Sequence, residues 1–180
     1  YAYDSIKDQF SSNLIYGKRI GMMFQNPSTC FNPSWNVREH FEEIFETCKD
    51  KMSKSEFDQF RDEVNENLFA SQSKGLLDKE ISQLSGGQKQ RLVISLVVVQ
   101  KPDLIVGDEI GTGIDLKIKR SIYRFLLEFR DQKKYPGWSP SLILISHDIG
   151  FAHKIVDRVV VMYRGTILQK INLLDLNSRK

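Results

Sequence analysis

The sequence predicts an α/β fold: a mainly parallel sheet flanked by helices, with an inserted helical sub-domain. Three observations point there. Leu104-Ile105-Val106-Gly107 is a short apolar run that ends on Asp108 and Glu109. Ser141 to Ile145 is a second such run and ends on Ser146-His147-Asp148. Between Val37 and Leu68 the apolar residues recur at helical spacing instead, in two amphipathic segments. Polar groups gathered at strand carboxyl ends are what open α/β sheets use to hold ligands.

Each element has a local reason. Leu14 to Phe24 reads as a turn around Gly17 and a strand from Arg19 to Phe24. Gln25-Asn26-Pro27 breaks that strand, because proline and the residue before it resist regular pairing. Val37 to Cys48 sets Val37, Phe41, Ile44, Phe45 and Cys48 on one helical face. Ser53-x-x-Glu56 is a capping box, and Phe57, Phe60, Val64 and Leu68 follow at helical spacing. The outer faces mix both charges, as a solvated surface does. The aromatic stripe reads as core packing rather than a partner groove. Gly75 marks a loop.

Leu92 to Val99 is rich in β-branched residues and looks like a strand. The Ser85 cap, the polar Lys89-Gln90-Arg91 turn and the stop at Lys101-Pro102 predict a buried helix instead. Asp115 caps a further amphipathic helix, with Ile118, Ile122, Phe125, Leu126 and Phe129 inward. Pro136-Gly137 and Trp138 lie in a loop, and Arg158–Tyr163, Arg164-Gly165 and Thr166–Gln169 read as a hairpin. His40 and His153 fall in helical patterns and read as hydrogen-bonded structural residues.

Composition sets bounds. The 180 residues suffice for one well-packed domain, at 41% hydrophobic and 27% charged. A net charge of +3 is too small to argue for nucleic acid. The longest apolar run, Leu92 to Val99, falls far short of the ~20 residues of a membrane span. No signal peptide is visible. Cys30 and Cys48 form no metal or redox spacing and suit a reducing compartment.

Two stretches bear chemistry. Ser85-Gly86-Gly87-Gln88 opens a helix whose first N–H groups are unpaired and partly positive, which attracts phosphate. Glycine lets an anion approach the main chain, and Ser85 adds a hydroxyl. An ordinary capped helix start is the plainer reading of this stretch alone. Asp108 and Glu109 offer one carboxylate for Mg²⁺ through its water shell and one to orient or deprotonate a water. Two solvated acids are the plainer reading of that pair.

Taken in order, LSGGQKQR, LIVGDE, Asp115 and LILISHD resemble the nucleotide-binding domain of an ABC transporter, over nearly the whole chain. The run FQNPSTCFNPSWNV resembles the oligopeptide/dipeptide/nickel importer branch, with its second Asn-Pro at Asn32-Pro33. The resemblance implies a P-loop NTPase-like fold, with 1–33 and 85–180 as the RecA-like core portion. Residues 34–84 would form a helical sub-domain ending at the signature. It implies ATP and Mg²⁺ as cofactors and ATP hydrolysis by the full-length protein. Asp108 and Gln25 would hold Mg²⁺. Glu109 would polarise the water, and Gln25 and His147 would sense the γ-phosphate. Ser85, Gly86, Gly87 and Gln88 would act on the nucleotide of a second ATPase subunit, with Asp115 bridging the interface. It further implies transmembrane permease subunits, a substrate-binding protein, no nucleic acid, and a peripheral place on the cytoplasmic membrane face.

The chain departs from the family in places. Lys79-Glu80-Ile81-Ser82-Gln83 replaces the aromatic-Pro-His/Glu run before the signature, and Ile110, Gly111 and Gly113 replace residues of the Pro-Thr-Ser/Thr-Ala loop. No G-x-x-x-x-G-K-[ST] occurs, and only 24 residues precede Gln25. The expectation is a partial domain lacking its amino-terminal β-rich part, which alone binds ATP poorly. A soluble ABC ATPase acting on DNA or ribosomes shares the motifs, as does a non-hydrolysing regulatory subunit. Coiled-coil insertions between Gln25 and Ser85, which the first usually has, are absent. The intact Glu109 and His147 weigh against the second, while the altered 110–113 loop and the missing phosphate-loop lysine keep it open.

Overall fold

A computed structural model of the chain describes residues 19–113, 115–130, 135, 137–152 and 155–173. The predicted turn around Gly17, Pro136 and His153, and the side chain of Phe129, lie outside what it describes.

Among the described residues, three parallel strands form the main sheet in the order β1 (Ile20–Met23), β2 (Leu104–Asp108), β3 (Ser141–Ile145). β1 is shorter than the predicted Arg19–Phe24. Beyond Phe24 the chain turns: the Asn26 side chain accepts from the Ser28 N–H at 3.1 Å and Pro27–Cys30 winds into a 3₁₀ turn. Register sets Met22 beside Val106 and Ile143, and Asp108 beside Ile145. Side chains alternate faces along a strand. One face therefore takes Gly21, Met23, Ile105 and Gly107, all buried. The other takes Met22, Val106 and Ile143, then Asp108 and Ile145 at its carboxyl end, with Met22, Ile143 and Ile145 exposed.

The two predicted amphipathic segments are helices α1 (Val37–Cys48) and α2 (Lys54–Phe69). Reciprocal capping boxes open both, Asn36 with Glu39 and Ser53 with Glu56. Val37, Phe41, Cys48, Phe57, Phe60, Val64 and Leu68 are buried, as their spacing requires. The rings of Phe45 and Phe57 meet at 5.3 Å and join the pair. The loop bearing Trp138 docks on α2, where Phe60, Tyr135 and Trp138 make edge-on ring contacts and Trp138 Nε1 donates to the Pro102 carbonyl at 2.8 Å.

The β-branched run is helical, as predicted: α3 spans Gly86–Val98. It is held on two sides. Against the sheet, a Cβ added at Gly21 would stand 2.5 Å from Val97 Cγ1, so β1 lies directly on this helix. Against α2, Ser95 Oγ donates to Asn65 Oδ1 at 2.8 Å, with both residues buried. Arg91 adds a bond to the Leu68 carbonyl and lies 4.9 Å from the Phe69 ring centroid. Helix α4 (Leu116–Arg130) follows β2 and buries Ile122, Phe125 and Leu126. After β3 come a short α5 (Ile149–Ala152) and a hairpin of β4 (Arg158–Tyr163) and β5 (Thr166–Asn172). Its turn has φ 46° at Arg164 and 78° at Gly165, the double positive φ of a two-residue hairpin loop.

His40 departs from the expectation of a hydrogen-bonded residue. It is buried, and neither ring nitrogen has a hydrogen-bond partner among the described residues. The loop leaving β1 offers it only ring faces: Phe31 stacks at 5.3 Å, nearly parallel, and Trp35 lies tilted at 5.3 Å. Burial pulls its pKa below the ordinary value, and the nearby Glu43 and Glu39 offset this only in part.

Candidate active site

Because the three strands run parallel, their carboxyl ends share one edge, and Gln25, Glu109 and His147 each follow a strand there. The Glu109 N–H continues the ladder, donating to the Ile145 carbonyl at 2.9 Å. Glu109 then adopts φ 51°, a left-handed conformation that costs a non-glycine residue about 1–3 kcal/mol. The bend closes a turn in which the Thr112 N–H donates to the Glu109 carbonyl at 2.9 Å.

Two side chains hold the Glu109 carboxylate. Thr112 Oγ1 donates to Oε2 in a short hydrogen bond. His147 Nδ1 lies 2.9 Å from Oε1 and 2.8 Å from Oε2. The Thr112 hydroxyl first, and His147 second, hold this carboxyl below the usual carboxylate range. Glu109 is thus an ionised acceptor beside a histidine. With a proton on Nδ1, the neutral His147 ring keeps Nε2 as an acceptor for another group. His147 is largely exposed, at 74%, whereas the Glu109 side chain is 19% exposed.

A cavity of about 300 Å³ opens between the Gly111–Gly113 turn and Ser146–Asp148. Lys119 and Asp148 both line it, and Lys119 Nζ donates to Asp148 Oδ2 at 2.6 Å. Asp115 is exposed, and its Oδ1 accepts from the Lys117 N–H at 2.7 Å, which is helix capping. Gln25 is exposed just beyond β1.

The predicted anion grip sits at the exposed tip of α3. Ser85 and Gly86 are exposed, and Gly87 and Gln88 are half-buried. Ser85 Oγ accepts from the Gln88 N–H at 3.3 Å, and Gln88 Oε1 accepts from the Ser85 N–H at 2.9 Å. Gln88 therefore spends its carbonyl on the cap. A Cβ at Gly87 would stand 2.6 Å from Ile118 Cδ1, the end of a side chain that would have to swing aside, so α4 packs closely against this turn. Around Gly86 nothing lies within 4 Å of such a Cβ, leaving the main chain approachable.

Sequence reasoning missed Thr112 and Lys119. Thr112 stands three residues from Glu109, the spacing of a tight turn, which was the available signal. Nothing local announces that Lys119 meets Asp148 across 29 positions. Among the described residues no group of three or more His, Cys, Asp or Glu could hold a metal ion. Asp108, half-buried at the edge, offers one carboxylate. That suits a hard cation keeping most of its water and binding phosphate oxygens, rather than one caged by protein.

A parallel α/β sheet with polar side chains gathered outside the carboxyl ends of its strands is the arrangement of ligand-binding α/β domains, nucleotide-binding ones among them. The ABC transporter family profile matches residues 3–111, and the chain belongs to that family. The metal-staphylopine import ATP-binding protein CntD of Staphylococcus aureus is 37% identical, over 86% of this chain and 55% of its own length. The dipeptide transport ATP-binding protein DppD of Haemophilus influenzae is 32% identical, over 90% and 47%. The oligopeptide transport ATP-binding protein OppD of Lactococcus lactis is 31% identical, over 90% and 46%. The chain thus spans about half the length of these relatives. In fold it is similar to an ATP-binding subunit of an ABC transporter, with TM-score 0.76 at 16% identity over 94% of this chain and 65% of the other. A dimeric ATP-binding cassette bound to ADP and Pi gives TM-score 0.72 at 22% identity, over 88% and 65%. Among the described residues no helix is long and apolar enough to cross a membrane.

Proposed function

We propose that the full-length protein hydrolyses ATP to power import through a membrane permease, with oligopeptides as the cargo class. The observation that supports this best is the contact of Glu109 with Thr112 and His147 at the sheet edge. Glu109, kept ionised, takes a proton from the attacking water, and His147 faces the γ-phosphate. Asp108, with Gln25, would hold Mg²⁺, which when bound would supply positive charge to the phosphates. The exposed tip of Ser85, Gly86, Gly87 and Gln88 serves the nucleotide of a second ATPase subunit, with Asp115 at that interface. Residues 34–84 act as the helical sub-domain, and 1–33 with 85–180 as the core portion. A substrate-binding protein delivers the cargo, and the protein works at the cytoplasmic face of the membrane. The names of the peptide-transport relatives support the cargo class.

Replacing Glu109 with Gln removes the base while preserving shape. In the full-length protein, Glu109→Gln should abolish ATP turnover while ATP-bound dimers still form in size-exclusion chromatography. Undiminished ATPase activity would reject Glu109 as the base.

A further inference from the structure

We infer that Lys119 is a positioning residue for hydrolysis, holding His147 against Glu109 through Asp148, and that Gly111 is glycine to let it do so. This rests on the ATPase reading above. The His147 ring is 74% exposed, so packing does little to fix it. Its place depends on the Glu109 contact at one end and on its backbone at the other. Asp148 follows it directly. The Asp148 N–H donates to Ser146 Oγ at 3.0 Å, and its carboxylate is pinned by Lys119 at 2.6 Å. The Lys119 side chain is 17% exposed, so this ion pair is shielded more than a surface pair.

The path of the lysine explains an otherwise odd residue. A Cβ at Gly111 would stand 2.8 Å from Lys119 Cε and 3.4 Å from its Cδ and Cγ. The stem lies across the bare backbone of the turn that links Glu109 to Thr112. Lys119 therefore touches both halves of the site: the turn that shapes Glu109 and the loop that bears His147. Tyr123, one helical turn further along α4, is buried below it. Its phenol is pushed up to about 12 by burial first and then by the Asp148 and Glu109 carboxylates, as expected of a neighbour to both. The same face of α4 thus runs beneath the whole arrangement.

The test is steady-state ATPase kinetics of the full-length protein in its transporter complex. Lys119→Met keeps the stem and removes the charge. It should lower kcat roughly three- to tenfold while leaving KM for ATP within about twofold, because alignment rather than nucleotide binding is lost. Lys119→Arg should restore most of the rate. Gly111→Ala should displace the stem and reproduce the fall. The double variant Gly111→Ala/Lys119→Met should be no slower than Lys119→Met, since both changes break one linkage. Unchanged kcat in Lys119→Met, or additive losses in the double variant, would overturn the inference. So would failure of Lys119→Arg to recover the rate while its thermal midpoint stays native. Absence of ATP turnover in the parent protein would fell the ATPase reading itself, and an undiminished rate in Glu109→Gln would reject Glu109 as the base, so these failures are told apart from that of Lys119.

Discussion

The buried bond between Ser95 and Asn65 gives a stability prediction with a definite size. Ser95 is fully buried, and Asn65 is 4% exposed. Ser95→Ala removes the donor and leaves Asn65 Oδ1 facing a methyl group, with no water to replace the lost bond. Stranding a neutral buried acceptor costs about 1–3 kcal/mol. In a domain of this size each kcal/mol lowers the thermal midpoint by roughly 2–4 °C, so a fall of about 2–12 °C is expected. The double variant Asn65→Leu/Ser95→Ala removes both polar partners and should recover much of that loss. Thermal unfolding of the full-length protein, with amide exchange on α3, measures it. A Ser95→Ala change within about 0.5 kcal/mol of the parent would refute the reasoning. A double variant no better than the single one would refute it too.

Two further predictions follow from packing. His40, without a hydrogen-bond partner among the described residues and with its pKa lowered from 6.5, favours the neutral ring in the folded state, so its stabilising share is present above pH 6.5 and is lost as pH falls towards the folded pKa. His40→Phe should flatten the acid side of the stability profile below that pH in denaturant titrations, and an unchanged slope would count against it. At Gly21 an added Cβ would meet Val97 at 2.5 Å and Pro102 at 3.2 Å, both stiff side chains. Gly21→Ala should therefore cost about 1–3 kcal/mol by thermal unfolding, whereas Gly75→Ala, with open space but φ 69°, should cost less than about 2 kcal/mol.

The sequence spoke clearly where the determinant was local. The Ser53 box, the helical stripe from Phe57 to Leu68 and the cap at Ser85 are near-neighbour effects, and each shows in the structure. The Ser85 cap outweighed the β-branched run that followed it. Strand ends shifted by one to three residues, as at β1, where the Asn26 turn cut the strand short, and at β5, which runs on to Asn172. His40 went astray because helical periodicity tells that a residue faces inward, not whether its neighbours are polar. Of the candidate site, Glu109 and His147 were legible as separate residues. Their contact with each other and with Thr112 and Lys119 arises from parallel strand pairing and from the left-handed bend at Glu109, which no short window of sequence reports.

The uneven sheet has a consequence for Asp108. Its carboxylate ends the row of Val106, Met22 and Ile143, on the face where apolar side chains stand in water. With solvent on that face, water screens the carboxylate and weakens its pull on a cation. Any hydrocarbon layer laid over Met22 and Ile143 would exclude that water and lower the local dielectric, so the same acid would grip a divalent ion more tightly. The strength of this electrostatic handle is therefore governed by the cover of the sheet, not by the carboxylate alone.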